Sequence, residues 1–300
     1  MVKLSITVIT MNRSEQLREA LGSCLACRLP DETEFVILDN ASTDDTEATV
    51  RDVLENSGYK YSYERVAENL GVGGGRCYAY ARTVGEYVYV LDDDAVIDFE
   101  NNPDFFIKAL NILDEEQDVI TLSTQIYDTA WERNRVKQSR KLIRDNLYMC
   151  VMFCGGSHFI RRSFFKEPPY LPNKYGWEEF PPSMRVYDSG KCNAFCSELL
   201  IIHKPKVNKW LYDNQENAAV LVNGIAGHYA LKSMIYPATV FPFVWLTYLA
   251  RRAKFIKGNK SMKRQAKEVI HSIKTSYPQD KRIRFSTFVK LVKYFGIKIL

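Results

Sequence analysis

Residues 4–10 (Leu-Ser-Ile-Thr-Val-Ile-Thr) alternate aliphatic with small polar side chains, the period-two pattern of a half-buried strand. Asn12 followed by Glu15 predicts a capping-box helix start, and Leu17, Leu21, Cys24 and Leu25 then line one helical face. A second apolar strand runs from Glu34 to Leu38 and ends in Asp39. The spacing of Val50, Val53 and Leu54 predicts a helix over Asp44–Asn56 that Gly58 stops. Tyr59–Val66 reads as a strand, Gly74–Val84 as a helix closed by Gly85, and Glu86–Leu91 as a strand running into Asp92, Asp93 and Asp94. This βαβα order predicts a parallel sheet with helices on both faces, whose ligands bind at the carboxyl ends of the strands.

From Asp98 the pattern loosens. A helix is expected over Pro103–Leu113, a strand over Val119–Thr124, a polar loop over residues 127–145 and apolar order over Met149–Cys154. After Gly155 and Gly156 come a strand at His158–Ile160, a short helix after Arg161, a helix over Glu178–Ser189 and a strand over Cys192–His203. The domain division expected is 1–210, with halves 1–97 and 98–210, followed by a helical extension over 211–300.

With 300 residues, 46% hydrophobic and 26% charged, the chain can bury a large core, which excludes disordered and fibrous classes. Seven cysteines without regular spacing do not form a secreted disulfide framework, and the start MVKLSITVIT lacks a basic n-region and a cleavage site. A reducing cytoplasm is the expected compartment. Charge is unevenly spread: from Arg251 onward fifteen Lys or Arg face only Glu268 and Asp280, so this stretch carries +13 of a chain total of +5 and the first 250 residues carry −8. Residues 235–250 (IYPATVFPFVWLTYLA) are apolar and aromatic but too short and proline-interrupted to span a bilayer. Followed by Arg251, Arg252, Lys254 and Lys257, they suit an element lying on an anionic leaflet; the alternative is a buried helix with a basic outer face.

Three adjacent carboxylates at a strand end repel one another unless a cation neutralises them, which makes Asp92–Asp94 a candidate Mg²⁺ or Mn²⁺ site rather than a solvated acidic turn. Asp39 and Asn40, heading the run Asp39–Asp44, offer polar groups to a base or ribose. Asn69–Arg76 is glycine-rich and opens a helix, so backbone there can approach an anion closely, although it matches neither the P-loop nor the dinucleotide fingerprint. His203 in an apolar run has the bland reading of a core histidine. The pairs Cys24/Cys27, Cys150/Cys154 and Cys192/Cys196 fall in apolar patterns and read as small hydrophobes rather than zinc ligands.

Taken in order, these segments resemble the family 2 glycosyltransferases, inverting enzymes of the GT-A fold, over about residues 3–205. The resemblance implies a Rossmann-like, mainly parallel α/β sheet flanked by helices. It implies donor-nucleotide contacts at Thr10, Asn12, Arg13, Asp39, Asn40, Asn69, Gly71 and Arg76, with Asp93 facing sugar or ribose. Asp92, Asp94 and His203 become the metal ligands. Gly176-Trp177-Glu178-Glu179 resembles the family's base motif; Glu179 is assigned as base, with Glu178 as the alternative. Met11 stands where proline is usual, and Glu179 where aspartate is common. The activity implied is sugar transfer from a UDP- or dTDP-sugar to a glycan or lipid-linked glycan in surface polysaccharide, capsule or cell-wall synthesis. The enzyme would be peripheral on the inner face of a membrane, without nucleic acid as partner. A sugar-phosphate nucleotidyltransferase and a basic-tailed nucleic-acid-binding protein are the rival readings.

Overall fold

The computed structural model describes residues 2–135, 141–173, 176–205, 215–276 and 282–300. Its first third is the expected alternation: β1 (Leu4–Thr10), α1 (Ser14–Ala26), β2 (Thr33–Asp39), α2 (Thr46–Leu54), β3 (Lys60–Arg65), α3 (Gly71–Tyr80) and β4 (Tyr87–Asp92). Next come β5 (Ala95–Ile97), α4 (Phe105–Glu115), β6 (Val119–Asp128), β7 (Arg133–Asn134), β8 (Leu142–Arg144), β9 (Leu147–Met149), β10 (Ser157–Arg161), α5 (Phe180–Asp188) and β11 (Cys192–His203). Four helices follow: α6 (Gln215–Ile235), α7 (Phe241–Phe255), α8 (Lys260–Ser276) and α9 (Phe285–Phe295).

One sheet runs in the order β3-β2-β1-β4-β10-β6-β11-β9-β8, with β5 on β11 and β7 on β6. Its long ladders are parallel. The sheet is mainly parallel, as expected, with β10 inserted antiparallel between β4 and β6; a strand entered by the short turn at Gly155 and Gly156 has no crossover helix to reverse it. Register sets the site. Thr10 lies opposite Asp39 and Ile9 opposite Asp92, so three strand ends finish level. Antiparallel β5 pairs Ala95 with His203, which carries the far end of β11 back to the aspartate triplet.

Aliphatic residues of β1 and β2 bury against α1, and Tyr89, Phe105, Phe106 and Phe159 pack with ring centroids 4.4–6.2 Å apart. A second core joins the carboxyl-terminal helices to the body: Phe180, Met184 and Tyr187 of α5 meet Leu231, Ile235, Tyr236 and Phe288. Each such side chain contributes about 1.5–3 kcal/mol by burial, so the extension is packed onto the site-bearing half.

Several boundaries differ from the expectation for local reasons. α5 begins at Phe180 because Pro181 and Pro182 are tolerated only in a first turn, which leaves Glu178 and Glu179 ahead of the helix. α1 has no side-chain cap from its own start; Asn12 is left-handed (φ 53°), and Asp44 accepts from the Ser14 amide instead (3.1 Å). Within 127–145, short strands β7 and β8 replace part of the expected loop, while residues 136–140 lie outside the described residues. Arg161, at the end of β10, is buried and donates to Tyr87 Oη at 3.0 Å.

Candidate active site

The first wall of the site is a set of loops tied together by asparagine and aspartate. Asn12 Oδ1 accepts from the Thr43 amide (2.7 Å), and the Asn12 amide donates to Ser42 Oγ (2.9 Å). Asn40 Nδ2 donates to Asn69 Oδ1 (2.9 Å), and Asn40 Oδ1 accepts from the Leu70 amide (2.8 Å). Asn69 Oδ1 also accepts from the Gly71 amide (2.7 Å). Buried Asp39 accepts from the Ser42 amide (2.7 Å) and from Tyr63 Oη (2.5 Å). Thr10, at the end of β1, is buried beside them. The glycines of α3 serve packing as well. A Cβ on Gly73 would sit 2.0 Å from the Leu171 carbonyl oxygen, so the close approach there is to the chain's own 171–173 segment.

The second wall carries the charges. Arg13 Nη1 donates to Asp93 Oδ1 and Asp94 Oδ2, both at 2.8 Å. Burial, and then the neighbouring Asp94, push the Asp93 carboxyl up to about 6 despite Arg13. For Asp94 burial alone would raise the pKa, but the hydrogen bond and charge of His203 with those of Arg13 outweigh it and lower the group. His203 is the mirror case: burial works to lower it, Asp94 raises it more, and the net shift is upward. His203 Nε2 lies 3.2 Å from Asp94 Oδ1, and Nδ1 lies 3.0 Å from Asp128 Oδ2. Asp128, missed in the sequence reading, therefore fixes the imidazole from behind, and Arg135 pairs with that aspartate at 3.0 Å.

Asp92, Asp94 and His203 each present one ligand atom, and these atoms lie within 4.8 Å of one another. Two carboxylates and an imidazole at this spacing fit a hexacoordinate Mn²⁺ or Mg²⁺. No other His, Cys, Asp or Glu group among the described residues meets that spacing.

Arg76 joins the metal-side wall to the acid pair. Its Nη2 donates to Asp92 Oδ1 (2.9 Å) and to the Gly155 carbonyl (2.7 Å); its Nη1 donates to Glu178 Oε1 (2.9 Å) and to Glu179 Oε1. The guanidinium is 4% exposed, so one buried cation pairs with two buried carboxylates, Glu178 and Glu179, and with the part-exposed Asp92 (34%). Because three acids share one base, burial and the adjacent Glu178 win over Arg76, and Glu179 is pushed up to about 8. Glu178 Oε2 is buried without a partner. Gly155 and Gly156 make room: a Cβ on Gly155 would reach 2.2 Å from Glu179 Oε1, and one on Gly156 would reach 3.0 Å from Asp92 Oδ2.

Residues 5–167 match the family described as Glycosyl transferase family 2, more than half of the chain. The chain belongs to glycosyl transferase family 2. A family 2 chain of this kind has a distant relative in Haemophilus influenzae, an uncharacterized protein 26% identical over 174 residues, which covers 56% of this chain and 92% of that one. Its fold is GT-A. S. aureus TarS bound to UDP-GlcNAc superposes with a TM-score of 0.64 at 18% identity, over 92% of this chain and 82% of that one. A mannosyltransferase from Pyrobaculum calidifontis, bound to GDP-Man and Mn²⁺, superposes with a TM-score of 0.59 at 17% identity, over 97% and 79%. GalNAc-T7 with UDP, GalNAc and Mn²⁺ gives 0.63 at 14% identity, over 94% and 59%.

Proposed function

We propose that this glycosyltransferase is an inverting, divalent-metal-dependent enzyme that moves a sugar from a nucleoside-diphosphate donor, UDP- or dTDP-linked, to a glycan hydroxyl. One observation carries the reading: a single guanidinium, Arg76, touches both Asp92 of the candidate metal group and Glu179 of the acid pair. Base and diphosphate sites are thereby about one sugar apart. Glu179 accepts the acceptor hydroxyl's proton as that oxygen attacks the anomeric carbon from the face opposite the leaving group. Asp92, Asp94 and His203 would hold Mn²⁺ or Mg²⁺, which when bound stabilises the leaving diphosphate. Thr10, Asn12, Arg13, Asp39, Asn40, Asn69 and Gly71 form the donor side, and Asp93 sits toward its sugar or ribose. The test is incubation with a panel of sugar nucleotides and Mn²⁺, following nucleoside diphosphate release. Pyrophosphate release instead would favour nucleotidyl transfer.

The acceptor proposed is a lipid-linked glycan of surface polysaccharide, capsule or cell-wall assembly, met at the cytoplasmic face of a membrane. No helix among the described residues is long and apolar enough to cross a bilayer. α7 nevertheless exposes Phe241, Phe243, Trp245 and Leu246, at 41%, 58%, 44% and 55%, while Val244 and Tyr248 face inward. Aromatic exposure followed by Arg251, Arg252, Lys254 and Lys257 suits an anionic interface. The chain is expected to sediment with vesicles containing phosphatidylglycerol and not with neutral ones. Phe243→Ser with Trp245→Ser should lower that partitioning about tenfold or more, since ~25 cal/mol per Å² of apolar contact is lost; equal sedimentation of both forms counts against the membrane reading.

A further inference from the structure

The acid pair is flanked by two residues in unusual surroundings. Trp177 precedes it with φ +68°, a left-handed conformation that costs a bulky side chain roughly 1–3 kcal/mol and persists only when neighbours impose it. Phe180 follows it and opens α5. Both rings meet the same side chain of α6. The His228 imidazole stacks on Trp177 with centroids 4.2 Å apart and planes 3° from parallel. It meets Phe180 edge-on, at 6.1 Å and 90°. Trp177 Nε1 donates to the Gly224 carbonyl oxygen at 3.0 Å, one helical turn before His228. Gly227 lies beneath the indole: a Cβ there would come within 3.1 Å of Trp177 Cδ1.

The imidazole is held in turn. Arg251 of α7 donates from Nη1 to His228 Nδ1 at 2.9 Å, and because a guanidinium has no acceptor, His228 must receive that bond with a lone pair. The ring is therefore neutral with its proton on Nε2, and burial, with Lys232 and Arg251 acting the same way, pushes its basicity down to about 2. A neutral flat ring stacks on indole without the desolvation cost of a buried cation.

We propose that His228 is a positioning residue for the acid pair: with Gly224 and Gly227 it forms a seat on α6 that locks Trp177 and Phe180, and through them sets the backbone that aims Glu178 and Glu179. The inference rests on the reading of Glu179 as the base. It makes the carboxyl-terminal helices part of the catalytic apparatus of the GT-A body. Arg251 joins the seat to α7, the helix that exposes its aromatic face.

The experiment uses the full chain with the donor of highest turnover. His228→Ala is expected to lower kcat roughly 10–100-fold, the scale of a sub-ångström to ångström misplacement of a catalytic group, while donor KM changes less than about threefold. His228→Phe keeps a flat ring between Trp177 and Phe180 and should recover most of the kcat. Gly227→Ala is the second variant. Alanine is worth up to ~1 kcal/mol more than glycine inside a helix, so a fall in kcat here cannot be laid to a weaker α6. Hydrogen exchange over residues 176–181 is read in parallel and should rise in His228→Ala and return in His228→Phe. Unchanged kcat and exchange in His228→Ala, or failure of phenylalanine to rescue both, overturns the proposal. If the wild-type chain turns over no donor, the transferase reading fails by itself, and the exchange pattern still decides the seat.

Discussion

Glu179→Gln is expected to reduce kcat by roughly 10²–10⁴-fold while leaving donor affinity nearly unchanged. The amide keeps the size of the side chain and retains an oxygen for Arg76, so the cradle of Arg76, Asp92 and Gly155 persists. What is lost is the lone pair that takes the proton. The pH profile gives an independent check. With the carboxyl pushed up to about 8, the ionised fraction grows tenfold per pH unit below that value. For the wild type kcat/KM should therefore climb with pH and level off near 8, and the variant should lack this limb. Stability should move the opposite way. A carboxyl with a raised native pKa binds more protons folded than unfolded between about 4.3 and 8, so its contribution to stability declines as pH rises through that window. Glutamine escapes the decline, and the variant's melting temperature should exceed that of wild type by a margin that widens from pH 5 to pH 8. Near-normal turnover would transfer the base role to Glu178, whose Oε2 lies buried without a partner.

Much of this site was legible because local chemistry and local pattern coincide there. An apolar β-strand ending in three aspartates reads the same way in sequence and in space, as do the strand end at Asp39–Asp44 and the helix start at Asn69–Arg76. The illegible parts depend on register between distant strands. Asp128 became visible only when β6 ran four residues past Thr124 and paired Asp128 with His203. The glycine-rich start of α3 carries a correct signal of close approach, but the partner at Gly73 is the Leu171 carbonyl, which no window of sequence contains. Arg76 is similar. The resemblance implied only that it lies on the donor side; its ion pairs with three carboxylates more than ten residues away in sequence are set by the fold. His228 gave no signal at all, since a histidine on an apolar helix has no periodicity that distinguishes a stacking partner from filler.

The aspartate triplet should separate into unequal members when its metal affinity is titrated with Mn²⁺ in the presence of UDP. Asp94→Asn and His203→Ala are each expected to weaken Mn²⁺ binding by at least about 100-fold, because each removes a group whose ligand atom belongs to the 4.8 Å cluster. Asp128→Asn should cost about 10–100-fold without touching the ion, by freeing the imidazole to rotate. Asp93→Asn is the contrast. Its carboxylate faces Arg13 at 2.8 Å and stands outside the cluster, so the metal affinity should change little even though donor affinity falls. A triplet that were merely an acidic turn collecting cations by net charge would respond alike to loss of any one carboxylate, and His203→Ala would then tighten binding by removing a positive group. The order Asp94 and His203, then Asp128, then Asp93 follows only from a coordinated ion, because charge counting alone cannot rank a histidine among the ligands.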